Sequence, residues 1–209
     1  MKLYDYELSG NCYKVRLFLS ILELSFDTQT VDFYPGREHK SEALLRLNPL
    51  GQLPIFEDAD QVLCGSDVIL SHLAANYDKS GLWYSPKQRL DIDKWIRFAD
   101  EITATASAAR LHDTFFYDLD VATARAGAER LFRNLDEHLW FSEQRGYDWL
   151  VHTRFPTLAD ITCFPYVALS EEGGISRADY PAIRRWCDRI KRIHGFIPMP
   201  GIFATSKAA

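Results

Sequence analysis

The stretch Asn48-Pro49-Leu50-Gly51-Gln52-Leu53-Pro54-Ile55-Phe56, with Cys64-Gly65-Ser66-Asp67-Val68-Ile69 close behind it, constrains this chain more than any other feature. Proline has no N–H to give a sheet ladder, so Pro54 belongs at the first residue of a strand or at an edge. That position leaves the Leu53 backbone to pair with something other than the sheet. Ser66 and Asp67 then open a helix, which sets free N–H groups beside a hydroxyl and makes a place for a carboxylate. Together the two segments imply a small site that grips a peptide by its backbone and its terminal carboxylate.

The rest of the composition narrows the class. The chain has 209 residues, 47% hydrophobic and 25% charged, which is ordinary for a globular protein. Lys and Arg number 24 against 29 Asp and Glu, a net charge of -5, so no basic surplus exists to hold a nucleic-acid backbone. The acidic N-terminus, Met1 to Glu7, does not read as a secretion signal, and no apolar run is long enough to span a bilayer. Cys12, Cys64, Cys163 and Cys187 are far apart and form no CxxC. That spacing argues against a metal set and a disulfide framework, and fits a reducing cytoplasm.

Periodicity gives the order of elements. The run from Leu3 to Leu8 reads as a strand, Ser9-Gly10-Asn11 as a turn, and Asn11 to Leu22 as a helix buried on most sides. Phe26 to Val31 alternates as a second strand, and Lys40 to Leu47 is a short helix ended by Asn48-Pro49. Pro54 to Glu57 and Gln61 to Cys64 form a hairpin around Asp58-Ala59-Asp60, and Ser66 to Tyr77 is the next helix. Asp78-Lys79-Ser80-Gly81 is a polar break. Beyond Pro86 the patterns are helical: Arg89 to about Phe116, Val121 to Gln144, Thr157 to Leu169 and Pro181 to His194. The expected fold is an α/β half followed by an all-α half.

In this order and spacing the chain resembles the glutathione transferase superfamily along nearly its whole length. The βαβ–αββα half, the Asn-Pro-x-Gly-x-Leu-Pro turn, the serine before a buried helix, and Phe155-Pro156-Thr157-Leu158-Ala159-Asp160 with its Thr-x-x-Asp capping box all match. Ser9-Gly10-Asn11-Cys12-Tyr13-Lys14-Val15-Arg16 looks most like the bacterial, serine-type members. The resemblance implies a thioredoxin-like domain over residues 1–78 that binds glutathione, and an all-helical domain over 86–209 that supplies the pocket for a second substrate. It implies glutathione as co-substrate, no metal, a cytoplasmic detoxifying homodimer, and neither nucleic-acid nor membrane partners.

Residue by residue, the resemblance puts Ser9 where its hydroxyl donates to the glutathione sulfur, with Asn11 able to share or replace that role. A thiolate is the nucleophile, and a hydroxyl donor at the positive end of a helix stabilises it. The plainer alternative for Ser9 is a helix cap, and for Cys12 a buried apolar residue. Tyr4 and Tyr6 lie before the turn, where strand residues are usually core. Leu53 pairs its backbone with the cysteine part of glutathione, which needs a cis Leu53–Pro54 bond. Gln52 stands beside it for a carboxylate, and Ser66 for the γ-glutamyl carboxylate. Arg37, His39 and Lys40 occupy the loop where the family places cations for the glycine carboxylate. The second-substrate pocket is expected from Arg110, His112, Phe115 and Phe116, with Phe33 and Tyr34 reaching towards it. One departure stands out: Gly65 replaces the Glu or Gln that many members carry before the serine, and Asp67, or Asp100 and Glu101 from the partner subunit, would have to receive the glutathione amine instead.

Three readings compete. The leading one is a transferase that adds glutathione to a small apolar electrophile. A glutathione-dependent isomerase of the maleylacetoacetate type is a narrower variant, and a non-catalytic binding or scaffold protein on the same fold is the third. A disulfide reductase needs a reactive cysteine where Ser9 stands.

Overall fold

The computed structural model describes residues 1–205. Its first half is a four-stranded mixed sheet. The strands are β1 (Lys2–Asp5), β2 (Asp27–Thr30), β3 (Ile55–Asp58) and β4 (Gln61–Cys64), in spatial order β2-β1-β3-β4. β1 runs parallel to β2, joined through α1 (Gly10–Ile21), while β1–β3 and β3–β4 are antiparallel. The register pairs Leu3 with Phe56 and Tyr4 with Ile55. Side chains alternate across a strand, so these pairs point to opposite faces. Leu3 and Phe56 join the core under α1 and α3 (Ser66–Tyr77), and Tyr4 and Ile55 join a second cluster with Cys12, Val31, Leu44 and Leu53. Leu44 belongs to α2 (Glu42–Leu47), which therefore covers the other face.

The second half is helical: α4 (Arg89–Ile102), α5 (Ala108–Phe115), α6 (Val121–Gln144), α7 (Leu158–Ala168) and α8 (Pro181–Ile190). Every residue of α7 is buried, as its all-round apolar pattern requires. Thr157 and Asp160 form the expected capping box, and the Asp160 carboxylate accepts from the N–H of Thr157 at 2.9 Å, the N–H of Leu150 at 3.0 Å and Trp186 Nε1 at 2.9 Å. One side chain thus fixes the start of α7, the loop before it and α8. The two halves share one core, since Val15, Leu17 and Phe18 of α1 join the same cluster as Trp95, Phe164 and Trp186.

Several boundaries differ from the sequence expectation. The helix expected from Arg89 to Phe116 is interrupted by a π-helical segment at Thr103–Ser107. Thr103 and Thr105 donate their hydroxyls back to the carbonyls of Ala99 and Glu101, each at 2.8 Å, and such back-bonding loosens the α-helical ladder. The helix expected from Lys40 is two pieces, a 3₁₀ turn at Glu38–Lys40 and α2, because Ser41 takes extended backbone angles and caps α2 by accepting from the Leu44 N–H. β1 stops at Asp5, β2 spans only Asp27–Thr30, and α8 ends at Ile190, four residues short of His194.

Candidate functional site

A cleft of about 460 Å³ opens between the two halves, within the range of ordinary small-molecule sites. From the sheet half, Ser9, Asn11, Gln52, Leu53, Ser66 and Asp67 line it. From the helical half come Asp100, Arg110 and Phe115. All nine were singled out from the sequence.

Ser9 is the N-cap of α1, and its hydroxyl oxygen accepts from the Cys12 N–H at 3.2 Å. The cap uses a lone pair and leaves the O–H free to donate into the cleft. The start of α1 adds the positive end of its dipole there. Asn11 lies beside it with its Oδ1 buried and unpartnered among the described residues. Cys12 faces the opposite way, into the cluster beneath α2, and burial pushes its thiol up to about 12, with the Asp5 charge adding to the effect. It is a core residue and is not a thiolate at neutral pH. Gly10 allows α7 to come close, since a Cβ there would stand 2.7 Å from the Tyr166 ring.

The Leu53–Pro54 bond is cis, as expected, and Leu53 lines the cleft while Pro54 does not. Among the described residues neither the N–H nor the C=O of Leu53 has a backbone partner, although its neighbours are tied down: Asn48 Nδ2 donates to the Gln52 carbonyl at 2.9 Å. Gly65 is the N-cap of α3 at φ 92°, a backbone conformation that favours glycine. That geometry gives a local reason for the departure noted in the sequence. Ser66 and Asp67 then expose the first N–H groups of α3 beside the Ser66 hydroxyl. Asp67 faces Asp100, whose carboxyl is raised by burial and by the Asp67 charge. Glu101 is exposed and does not line the cleft.

Arg110 is the most engaged side chain of the helical wall. Its Nε donates to Glu172 Oε2 at 2.5 Å, and its guanidinium reaches across to the Leu8 carbonyl at 2.7 Å. It therefore holds the loop that carries Ser9, a task that competes with the substrate contact expected of it. Tyr6 was expected to be core but lines the cleft, stacked on Phe33 at 5.4 Å and near Phe115 at 6.3 Å. Tyr4 is core, its hydroxyl donating to Glu57 at 2.9 Å.

The remaining sequence candidates stand outside the cleft lining. His39 is buried and stacks on the far side of Phe33 at 4.0 Å. Burial pushes its imidazole below the usual value, with the Lys40 and Arg37 charges adding, so it is neutral at pH 7 and not the exposed cation expected. Lys40 donates to the Leu50 carbonyl at 3.0 Å, and Arg37 is exposed. Tyr34 is exposed with its ring edge-on to Phe115 at 5.8 Å. His112 bonds Asp113 at 2.7 Å, and Phe116 is 82% exposed as the left-handed C-cap of α5. His112 and Phe116 each stand one residue past a lining position, Leu111 and Phe115, and one residue turns a helix by about 100°, away from the face on which Ser107, Ala108, Leu111 and Phe115 line the cleft. Tyr166 was missed because an apolar helix gives no sign of which residue faces a cavity. Among the described residues no cluster of His, Cys, Asp and Glu is arranged to hold a metal, and no helix is long and apolar enough to cross a membrane.

Comparisons with known proteins agree with this geometry. Residues 3–81 match the family of the glutathione S-transferase N-terminal domain. Glutathione S-transferase GstB of Escherichia coli is 29% identical over 195 residues, covering 87% of this chain and 88% of its own length. A maleylacetoacetate isomerase of Pseudomonas aeruginosa is 28% identical over 194 residues, 90% of each chain. The crystal structure of a glutathione S-transferase from Pseudomonas fluorescens superposes with a TM-score of 0.84 at 26% identity, over 95% of this chain and 98% of that one. With a thioredoxin-like sheet domain and a helical second domain, the chain is similar to glutathione transferases along nearly its full length, and its residues 3–81 belong to the glutathione S-transferase N-terminal domain family.

Proposed function

We propose that the chain is a cytoplasmic, serine-type glutathione transferase that stabilises the glutathione thiolate and adds it to a small apolar electrophile. Residues 1–78 hold glutathione and residues 86–209 supply the wall for the electrophile. The observation that carries the reading is the Ser9 hydroxyl, which caps α1 as an acceptor and keeps its proton to donate at the cleft. A free thiol has a pKa of about 8.5. One hydroxyl donor to an anion contributes about 1.5–3 kcal/mol, which lowers the thiol pKa by roughly 1–2 units. Asn11 is the second donor. Leu53 meets the cysteine backbone of the tripeptide in strand fashion, and Ser66 takes the γ-glutamyl carboxylate at the start of α3. Tyr6, Phe33 and Phe115 give the electrophile an aromatic wall. By analogy with its family the protein works as a homodimer.

The reading is tested by the rate with a chloro-dinitrobenzene electrophile against pH, for wild type and Ser9→Ala. The variant is expected to lose about 10–100-fold in kcat/KM below pH 7 and to shift its pH profile upwards by roughly 1–2 units. An unchanged profile overturns the role of Ser9. A second reading, the isomerase, is favoured by the Pseudomonas relative. It requires turnover of maleylacetone with little action on aryl halides.

A further inference from the structure

Lys14 is only 3% exposed, an unusual state for a lysine, and the chemistry described so far gives it no task. It lies one turn beyond Asn11 on α1, and so on the face that reaches the cleft. Its Nζ sits 5.4 Å from the centre of the Tyr166 ring. No carboxylate stands within ion-pair distance of it among the described residues. The charges that act on it are Asp100 from α4 and Asp67 from α3, and both of those side chains line the cleft. From α7 the Cys163 thiol also faces it, held neutral because burial pushes its ionisation up. The Tyr166 phenol is likewise raised by burial. A buried cation therefore stands behind two cleft carboxylates, one of them Asp67 in the first turn of α3, the helix whose first N–H groups are open to an anion.

We propose that Lys14 is a positioning residue for the γ-glutamyl end of glutathione: its ammonium offsets Asp67 and Asp100 from inside the core, so that the ligand's α-carboxylate can settle at Ser66 beside them. Without that offset, a carboxylate arriving at Ser66 meets two like charges, which is unfavourable at this range. With it, the pair retains one net negative charge for the ligand's ammonium group. Burial draws the Lys14 ammonium from the usual lysine value down to about 8, against the pull of Asp100 and Asp67. The offset is thus present at pH 7 and fades as the pH passes 8. The inference rests on the glutathione reading above.

The test is calorimetric binding of S-methylglutathione, whose sulfur does not titrate, between pH 6.5 and 9 for wild type, Lys14→Arg and Lys14→Met. Arginine stays charged throughout and methionine never is. The dissociation constant of Lys14→Met is expected to be about tenfold higher at pH 7. Wild type is expected to match Lys14→Arg at pH 7 and to drift towards Lys14→Met by pH 9. Three parallel curves overturn the proposal while leaving the glutathione reading intact. If Lys14→Met does not fold, coincidence of wild type with Lys14→Arg up to pH 9 overturns it equally. Absence of wild-type binding at every pH removes the glutathione reading, and this proposal with it.

Discussion

Asp160→Ala removes the acceptor of three buried N–H donors at once, those of Thr157, Leu150 and Trp186. The carboxyl is fully buried, and desolvation raises its pKa against the pull of those three donors. The bonds are therefore counted conservatively at the neutral value of about 1 kcal/mol each. A donor orphaned in a dry core costs about 1–3 kcal/mol, and neighbouring losses do not simply add. The expected loss of stability is about 3–6 kcal/mol, a large share of the roughly 5–15 kcal/mol that holds a domain together. For a chain of this size it corresponds to a fall in Tm of roughly 6–24 °C. The assay is urea unfolding followed by tryptophan fluorescence and far-ultraviolet circular dichroism, since Trp186 is one of the orphaned donors. Asp120→Ala serves as the reference: Asp120 caps α6 by accepting from the Thr123 N–H at 3.1 Å, but it is exposed, and its loss is expected to cost about 1 kcal/mol. Asp160→Asn should fall between the two, because its amide turns a donor towards one of the three N–H groups. If Asp160→Ala is no worse than Asp120→Ala, the claim that one carboxylate anchors α7, its preceding loop and α8 is wrong.

Two further outcomes follow from the geometry. A Cβ on Gly173 would stand 2.7 Å from the backbone N of Arg110 and 2.9 Å from the carbonyl carbon of Ala109, so Gly173→Ala must push α5 away; a loss of about 1–3 kcal/mol in thermal unfolding is expected, and an unchanged Tm would refute the close approach. Burial raises the Asp58 carboxyl, but hydrogen bonds from His72 at 2.7 Å and Tyr77 at 2.6 Å outweigh it and hold it below the usual carboxylate range. Its stabilisation is present above the ordinary carboxylate pKa and is lost as pH falls through the lower folded value. Stability should therefore drop below about pH 4, and Asp58→Asn should flatten that limb when urea unfolding is repeated between pH 3 and 7; equal slopes for both proteins would contradict it.

How far the sequence carried the fold depended on how local each signal was. β4, α3 and α6 were legible to the residue, because a tight turn at Ala59-Asp60, Gly65 and the Asp120 cap each write a boundary into neighbouring residues. The sheet side of the cleft was legible for the same reason: Ser9, Leu53 and Ser66 are all announced by their immediate neighbours. The helical wall was not. Nothing short-range says that Arg110, on the cleft wall, is tied to the Leu8 carbonyl 102 residues away, or that His39 is buried and stacked on Phe33. Tyr6 looked like one more strand residue, yet β1 stops before it and frees it to turn inward.

The π segment at Thr103–Ser107 carries an implication for how this wall can change over evolutionary time. Such a segment amounts to one residue more than an α-helix needs over the same rise, so it absorbs an extra residue while the helices on either side, α4 and α5, keep their phase. Each residue of an α-helix turns the chain by about 100°. Loss of a single codon early in α5 would therefore swing every later side chain around the axis by that angle. Loss of one within the π segment would instead restore an unbroken α-helix and leave Arg110 at the Leu8 carbonyl. The segment is thus a place where this wall can change length while the cleft keeps its lining.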